Sequence, residues 1–228
     1  MLDHARTPRP RGTVGTGLRW ASLATTAAAM QLGCVGHDVA APPVSTYDRL
    51  TETQAFTVEP AETLVELRAS RDHGDTTEDG TATLPVARGA VDATAAGDWL
   101  GLDDFTLMFD TVPLPTTIYP GDLALADTHV HFATPFECKA VWTDDDQAAT
   151  CAATAWFTVD WKLVVGGEPR PLGSQTLGPV DLAVAIERDG GRLALDLTGR
   201  ADGVIWSWAD VIALGELDVT VRAYAPAF

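Results

Sequence analysis

The sequence predicts a mainly β fold, an antiparallel β-sandwich or barrel-like domain with few short helices. Three observations carry this prediction. Many short segments alternate apolar and polar residues with the period of a strand. Gly, Pro and Asp residues separate these segments, as is typical of antiparallel sheets. The regular order of strand and helix that a parallel sheet requires is not visible in the chain.

Composition and charge set the class of protein. The chain has 228 residues, 46% of them hydrophobic, which suits one globular domain. Its formal net charge is -17, and residues 34–228 carry 11 basic and 31 acidic side chains. Such an acidic balance repels nucleic acid phosphates, so we do not expect a nucleic acid partner.

Residues 1–33 have the pattern of an export signal. Arg6, Arg9, Arg11 and Arg19 precede a run of 13 uncharged residues, 20–32. A spanning helix needs about 20 apolar residues, whereas the apolar region of a signal peptide has about the length of this run. The alternative is an amphipathic or buried helix that belongs to the fold.

The segment Met30-Gln31-Leu32-Gly33-Cys34 resembles the sorting signal of bacterial lipoproteins, in which an apolar region precedes a small residue and a cysteine. The resemblance implies that Cys34 is acylated and becomes the mature N-terminus. It thereby implies a protein anchored to a membrane of the bacterial cell envelope, periplasmic or surface-facing. The alternative is ordinary cleavage near residues 27–29, which would leave Cys34 as a free thiol.

The remainder divides into a spacer and a domain. Residues 34–56 include Pro42-Pro43 and are polar and weakly periodic, which predicts a flexible tether. Residues 57–228 are expected to form a single β-rich domain, with a polar surface loop at residues 70–80. Short helices are expected at residues 60–68 and 90–100.

The strand pattern is clearest in the second half of the chain. Around residues 158–165, Phe157 and Trp161 fall on one face, and Trp156 and Asp160 fall on the other. Asp189-Gly190 favours a tight hairpin between two further strands. The predicted strands are residues 105–110, 122–134, 158–165, 181–187, 192–198 and 215–224.

The cysteines predict one disulfide. The chain has three, and an unpaired thiol is unusual in an oxidising compartment. Acylation of Cys34 would leave Cys138 and Cys151 as a pair. A two-residue turn at Asp144-Asp145 would place these two cysteines opposite each other, within disulfide reach at about 4.5 Å between Cα atoms. A longer loop centred on the same point would keep this pairing.

The stretch Asp127-Thr128-His129-Val130-His131-Phe132 offers a candidate metal site. Its His-x-His pair resembles the motif that ends the first barrel strand of amidohydrolase-type metalloenzymes. That resemblance implies further metal ligands downstream and a β/α barrel of about 250 residues. Here no histidine follows His131, and only 97 residues remain.

A smaller metal hypothesis uses the same strand. Asp127, His129 and His131 share one strand face and could hold Zn²⁺ or Cu²⁺ with a neighbouring carboxylate. The alternative is the polar outer face of an amphipathic strand, where imidazoles make cross-strand hydrogen bonds.

Tryptophans offer a second candidate site. Trp206-Ser207-Trp208 places two indoles on one strand face. The pair could form an aromatic platform for a sugar or a partner, or it could fill the core. We expect the tryptophans after Trp20 to provide much of the volume of the core.

No nucleophile elbow, zinc-peptidase motif or P-loop occurs in the sequence. We therefore predict an exported, lipid-anchored envelope protein that acts as a non-catalytic binding or structural module without a cofactor. Its expected partners are a membrane, through the N-terminal lipid, and a protein, glycan or apolar ligand. The alternative is a metal-binding protein or metal-dependent enzyme that uses His129 and His131.

Overall fold

The structure, a computed structural model, describes residues 44–72, 77–117, 121–208 and 211–226. Side chains are described for these residues except 71, 72, 171, 172, 203–208 and 211–214. The predicted signal, Cys34 and the first part of the predicted tether lie outside the described residues. No helix in the described ranges is long and apolar enough to cross a membrane.

The described residues form one α-helix, one 3-10 helix and thirteen strands. The α-helix α1 is Thr46–Leu50, and the 3-10 helix is Pro60–Glu62. The strands are β1 (Gln54–Val58), β2 (Leu64–Asp72), β3 (Thr77–Thr83), β4 (Val86–Ala96), β5 (Trp99–Phe109), β6 (Val112–Pro113), β7 (Leu123–Phe132), β8 (Phe136–Lys139), β9 (Val141–Trp142), β10 (Ala148–Val165), β11 (Glu168–Asp189), β12 (Arg192–Trp208) and β13 (Val211–Ala225).

Eight antiparallel strands close into a barrel. Their order is β1, β4, β5, β7, β10, β11, β12 and β13, and the ring closes where Val58 of β1 pairs with Ala223 of β13. The hairpin of β2 and β3 extends the sheet beside β13. Closure pairs the edges that an open sheet would expose. The predicted mainly β fold is confirmed, and its architecture is a barrel.

Hydrophobic side chains fill the barrel. Along β10, the buried positions Phe157, Val159 and Trp161 alternate with outward positions. Phe157 also meets two other rings, Phe132 at 5.3 Å and Phe105 at 5.7 Å between centroids. Burial of one such aromatic side chain contributes about 1.5–3 kcal/mol. The alternating sequence pattern therefore separates an apolar interior from a polar wall.

Charged groups on the outer wall form ion pairs. Arg222 Nη1 lies 3.0 Å from Asp196 Oδ2, and Arg222 Nη2 lies 3.2 Å from Asp189 Oδ2. Arg200 Nε lies 3.0 Å from Asp202 Oδ1, and its Nη2 contacts Glu216. Both arginines therefore pair with carboxylates of neighbouring strands on the outer wall.

Helix α1 packs against one end of the barrel. Ser45 caps it by accepting a hydrogen bond from the Asp48 amide at 3.0 Å. Thr46 Oγ1 donates to the Gln147 carbonyl at 2.8 Å, and Leu50 is fully buried in the core. The predicted tether extended to residue 56. Residues 46–56 instead contain α1 and the start of β1, so the folded part begins before residue 57.

Three other sequence expectations are wrong in this region. Residues 60–68 form a 3-10 helix followed by the start of β2, and residues 90–100 belong to β4 and β5. Residues 70–80 were expected to form a loop, but their described positions belong to the end of β2 and the start of β3. In β4, Val91, Ala93 and Ala95 are buried in alternation, so pairing with β1 and β5 overrides the helix propensity of alanine.

Candidate functional site

The outer face of β7 carries the three predicted metal ligands. Asp127, His129 and His131 point outward, whereas Thr128 and Val130 are buried. The pairing with β10 is irregular here, because Asp127 has a φ of 41° and the register shifts between Ala126 and His129. The sequence correctly placed these three side chains on one face.

Strand β10 supplies partners for this row. Lys162 Nζ lies 2.7 Å from Asp127 Oδ2, and His131 Nδ1 lies 4.0 Å from Asp160 Oδ2. Asp160 also accepts a hydrogen bond from the Ser174 hydroxyl. The hydrogen bond from Lys162, followed by its positive charge, lowers the pKa of Asp127. The outer face is therefore a network of polar side chains exposed to water.

The metal hypothesis gains no additional ligand from this geometry. Within the described ranges, no group of three or more His, Cys, Asp or Glu side chains is arranged to hold a metal ion. The carboxylate of Asp127 is engaged by Lys162. Zinc or copper at His129 and His131 stays a prediction.

Trp156 lies on the same outer wall, and no sequence motif marks it as a site residue. It is 46% exposed, although the tryptophans were expected to fill the core. Trp161 is buried as expected, but Trp99 is 48% exposed. The alternation of the strand had already placed Trp156 on the face opposite to Phe157. That alternation was the signal in the sequence that could have identified Trp156 as an outward residue.

Gly178 of β11 determines how the indole of Trp156 lies. A Cβ atom at Gly178 would lie 3.0 Å from Trp156 Cε3 and 3.2 Å from Cδ2. Because Cδ2 is a ring-fusion atom without hydrogen, this approach brings a face of the indole against the glycine. The absence of a side chain at Gly178 lets the ring lie against the wall.

The other predicted site residues are only partly described. Trp206 and Trp208 belong to β12, but their side chains lie outside the described part of the structure. Cys34 also lies outside the described residues. The aromatic platform of Trp206 and Trp208 and the lipidation of Cys34 stay predictions.

The barrel interior contains a small apolar cavity. Its volume is about 20 Å³, and its lining residues, among them Val65, Phe105, Phe157 and Leu182, are all hydrophobic. A volume of about 10–15 Å³ holds one water, whereas pockets for drug-sized ligands occupy about 300–1,000 Å³. This cavity is far too small for a ligand of that size.

An open polar groove lies where β2, β3, β12 and β13 meet. Its volume is about 520 Å³, and it is lined in part by Arg68, Ser70, Asp79, Asp202 and Glu216. Ser70 Oγ donates a hydrogen bond to Asp79 Oδ1 at 2.6 Å across this groove.

The disulfide between Cys138 and Cys151 is confirmed, with the Cα atoms 5.9 Å apart. The predicted turn at Asp144-Asp145 is wrong, because the loop is longer and its centre lies one residue later in the chain. Val141 pairs with Thr150, and the Thr143 amide donates to the Ala148 carbonyl at 2.9 Å across a wider loop.

The wider loop has a local cause. Thr143 Oγ1 accepts hydrogen bonds from the amides of Gln147 at 3.2 Å and Ala148 at 3.1 Å. Asp146 adopts a φ of 55°, a conformation that Asp tolerates better than most residues. These contacts stabilise a longer connection than Asp144-Asp145 alone.

No protein-family model matches the chain, and no curated protein matches it. Among solved structures, it is similar to the crystal structure of Ail, the attachment invasion locus protein of Yersinia pestis. The TM-score is 0.35 at 8% identity, over 76% of this chain and 99% of that chain. A crystal structure of Ail in complex with the heparin analogue sucrose octasulfate gives a TM-score of 0.31 at 8% identity, with the same coverage. Likeness at this level carries no argument about the present chain.

Proposed function

We propose that this protein is an exported, lipid-anchored protein of the bacterial envelope whose barrel is a non-catalytic binding module. The observation that carries the proposal is the packed interior, where the cavity beside Phe105 and Phe157 measures only about 20 Å³. A barrel filled by its own side chains has little room to enclose a ligand. The module therefore binds its partner through the outer wall.

The cysteines support export and anchoring. Cys138 and Cys151 form a disulfide, and such bonds persist in oxidising compartments such as the bacterial periplasm. With these two paired, Cys34 is the remaining cysteine of the sequence. It follows Gly33 and the apolar run, as the acylated cysteine of a lipoprotein does.

The polar network on the wall differs from a catalytic triad. Ser174, Asp160 and His131 form the arrangement in the described wall that comes nearest to a serine relay. In a working triad the histidine contacts the serine and accepts its proton, while the carboxylate orients the histidine. Here Asp160 contacts the serine hydroxyl and lies between Ser174 and His131. This order does not activate a nucleophile.

Metabolic labelling with palmitate tests the anchor. We expect label in the wild-type protein and in the membrane fraction, and none in Cys34→Ala. A Cys138→Ser, Cys151→Ser variant is the matched control, because it removes two cysteines but keeps Cys34. Equal labelling of the wild type and Cys34→Ala would contradict acylation at this cysteine.

A further inference from the structure

We propose that Trp156 is the stacking platform of a carbohydrate site on the outer wall, formed with Thr158, Asp160 and His131. The ligand is an uncharged pyranose ring within a glycan. This inference rests on the proposed function, because it assigns a ligand class to the outer wall of the binding module.

The first observation is the presentation of the indole. The ring atoms Cδ2 and Cε3 lie so near Gly178 that a Cβ atom there would come within 3.2 Å of both, so one part of the ring surface lies against the wall. The side chain is nevertheless 46% exposed. An aromatic ring held against a rigid sheet offers a flat apolar surface at little cost in conformational entropy. The C–H face of a pyranose ring is the complementary surface.

The second observation is the set of polar groups around the indole. Along β10, Thr158 and Asp160 are the next two outward positions after Trp156. Each outward position lies about 6.6–6.8 Å along the strand from the one before it. Thr158 pairs with His131 of β7 on one side and with Thr176 of β11 on the other. The Thr158 hydroxyl and the His131 imidazole therefore lie one outward position from the platform, and the Asp160 carboxylate lies two positions away. All of these groups can bond to the hydroxyls of a glycan that extends along the strand.

The third observation is the small size of the residues beside the platform. The Ala133 amide donates to the Trp156 carbonyl at 2.8 Å, which places Ala133 next to Trp156 on the β7 side. Gly178 lies on the β11 side. Gly178 accommodates the indole on that side, and the methyl group of Ala133 leaves the β7 flank open for a sugar ring to approach.

Charge selects the class of glycan. The chain carries a formal net charge of -17. At the site itself, Asp160 faces His131, and Asp127 is paired with Lys162. No excess of cations is available there to attract sulfate or carboxylate groups, and the charge of the whole chain repels them. An uncharged sugar meets no such barrier.

The test is titration of the detergent-purified full chain with cellohexaose, chitohexaose and maltohexaose, followed by tryptophan fluorescence and calorimetry. We expect at least one of these probes to bind saturably. Trp156→Ala should weaken binding by about tenfold or more, and Trp156→Phe should weaken it less, because the phenyl ring retains part of the stacking surface. Heparin, an anionic glycan, should not bind.

Trp99→Ala is the matched control. Trp99 is 48% exposed, close to the value for Trp156, but it lies at the start of β5. Its replacement should change affinity by less than about twofold. Circular dichroism melts of each variant check that the barrel remains folded.

Three results would overturn the proposal: none of the three probes binds at about 10 mM, Trp156→Ala binds as tightly as the wild type, or heparin binds as well as the neutral probes.

Palmitate labelling of the same preparation separates this inference from the anchor. Labelled protein without glycan binding overturns the sugar site alone. Unlabelled protein that binds glycan contradicts the anchor and supports the site.

Discussion

Cys138 of β8 and Cys151 of β10 are covalently joined, with 5.9 Å between their Cα atoms. The bond closes a loop with a sequence separation of 13 residues. Replacing both cysteines by serine should lower the free energy of unfolding by about 3 kcal/mol in the chain-entropy model. Urea unfolding followed by tryptophan fluorescence measures the change.

The oxidised protein provides the control for this prediction. Neither Cys138 nor Cys151 should react with a thiol reagent before reduction, and both should react after denaturation in reductant. Reaction of both cysteines in the unreduced, folded protein would contradict the bond.

Helix α1 is expected to stabilise the barrel through Leu50. This side chain is fully buried, whereas Val44, just before the helix, is 53% exposed. Leu50→Ala should cost about 2–5 kcal/mol, because it leaves a cavity in the core. Val44→Ala should stay within about 0.5 kcal/mol of the wild type. Equal unfolding midpoints for the two variants would show that α1 does not contribute as the structure indicates.

Local chemistry explains which elements the sequence predicted well. Asp189-Gly190-Gly191 predicted the hairpin of β11 and β12, and both glycines have positive φ values, 57° and 93°. Asp189 pairs with Arg192 across this turn. The alternation around Phe157 was similarly readable, because a strand with one buried face imposes a period of two on its own residues.

The missed features depend on residues far apart in the chain. Barrel closure needs Val58 beside Ala223, and no local pattern specifies that pairing. Helix α1 has only five residues and is held by contacts with the hairpin loop near Gln147, so propensity alone could not identify it. The flat placement of Trp156 depends on Gly178 in a neighbouring strand.

Tyr224 gives the fold a pH-dependent contribution at its surface. Its hydroxyl donates to Glu62 Oε2 at 2.7 Å, and this hydrogen bond raises the pKa of Tyr224 above its usual value of about 10. The folded state therefore holds the proton more tightly than the unfolded state. The resulting stability is present below about pH 10 and is lost as the pH rises through the folded-state pKa.

Absorbance of the phenolate measures this shift. The signal of Tyr224 is the one that is lost in Tyr224→Phe. We expect this titration to move to lower pH in Glu62→Gln. Glu168→Gln is the control, because the Glu168 carboxylate pairs with Arg170 at 3.4 Å. A Tyr224 titration that is the same in the wild type and Glu62→Gln would contradict the assigned cause.

The row of Asp127, His129 and His131 leads to a prediction about metal binding. Lys162 Nζ lies 2.7 Å from Asp127 Oδ2, so a metal ion that used this carboxylate would have to displace a cation. Two imidazoles alone fall short of the three or four protein ligands typical of zinc sites. We therefore expect calorimetric titration with Zn²⁺ to give no heat that depends on His129.

Two results would favour the metal-binding alternative. One is heat at one equivalent in the wild type that disappears in His129→Ala, and the other is a stoichiometric transition metal in the purified protein. Lys162→Ala sharpens the comparison, since it frees Asp127: a true three-residue site would then bind Zn²⁺ more tightly, whereas a polar outer face would remain inert.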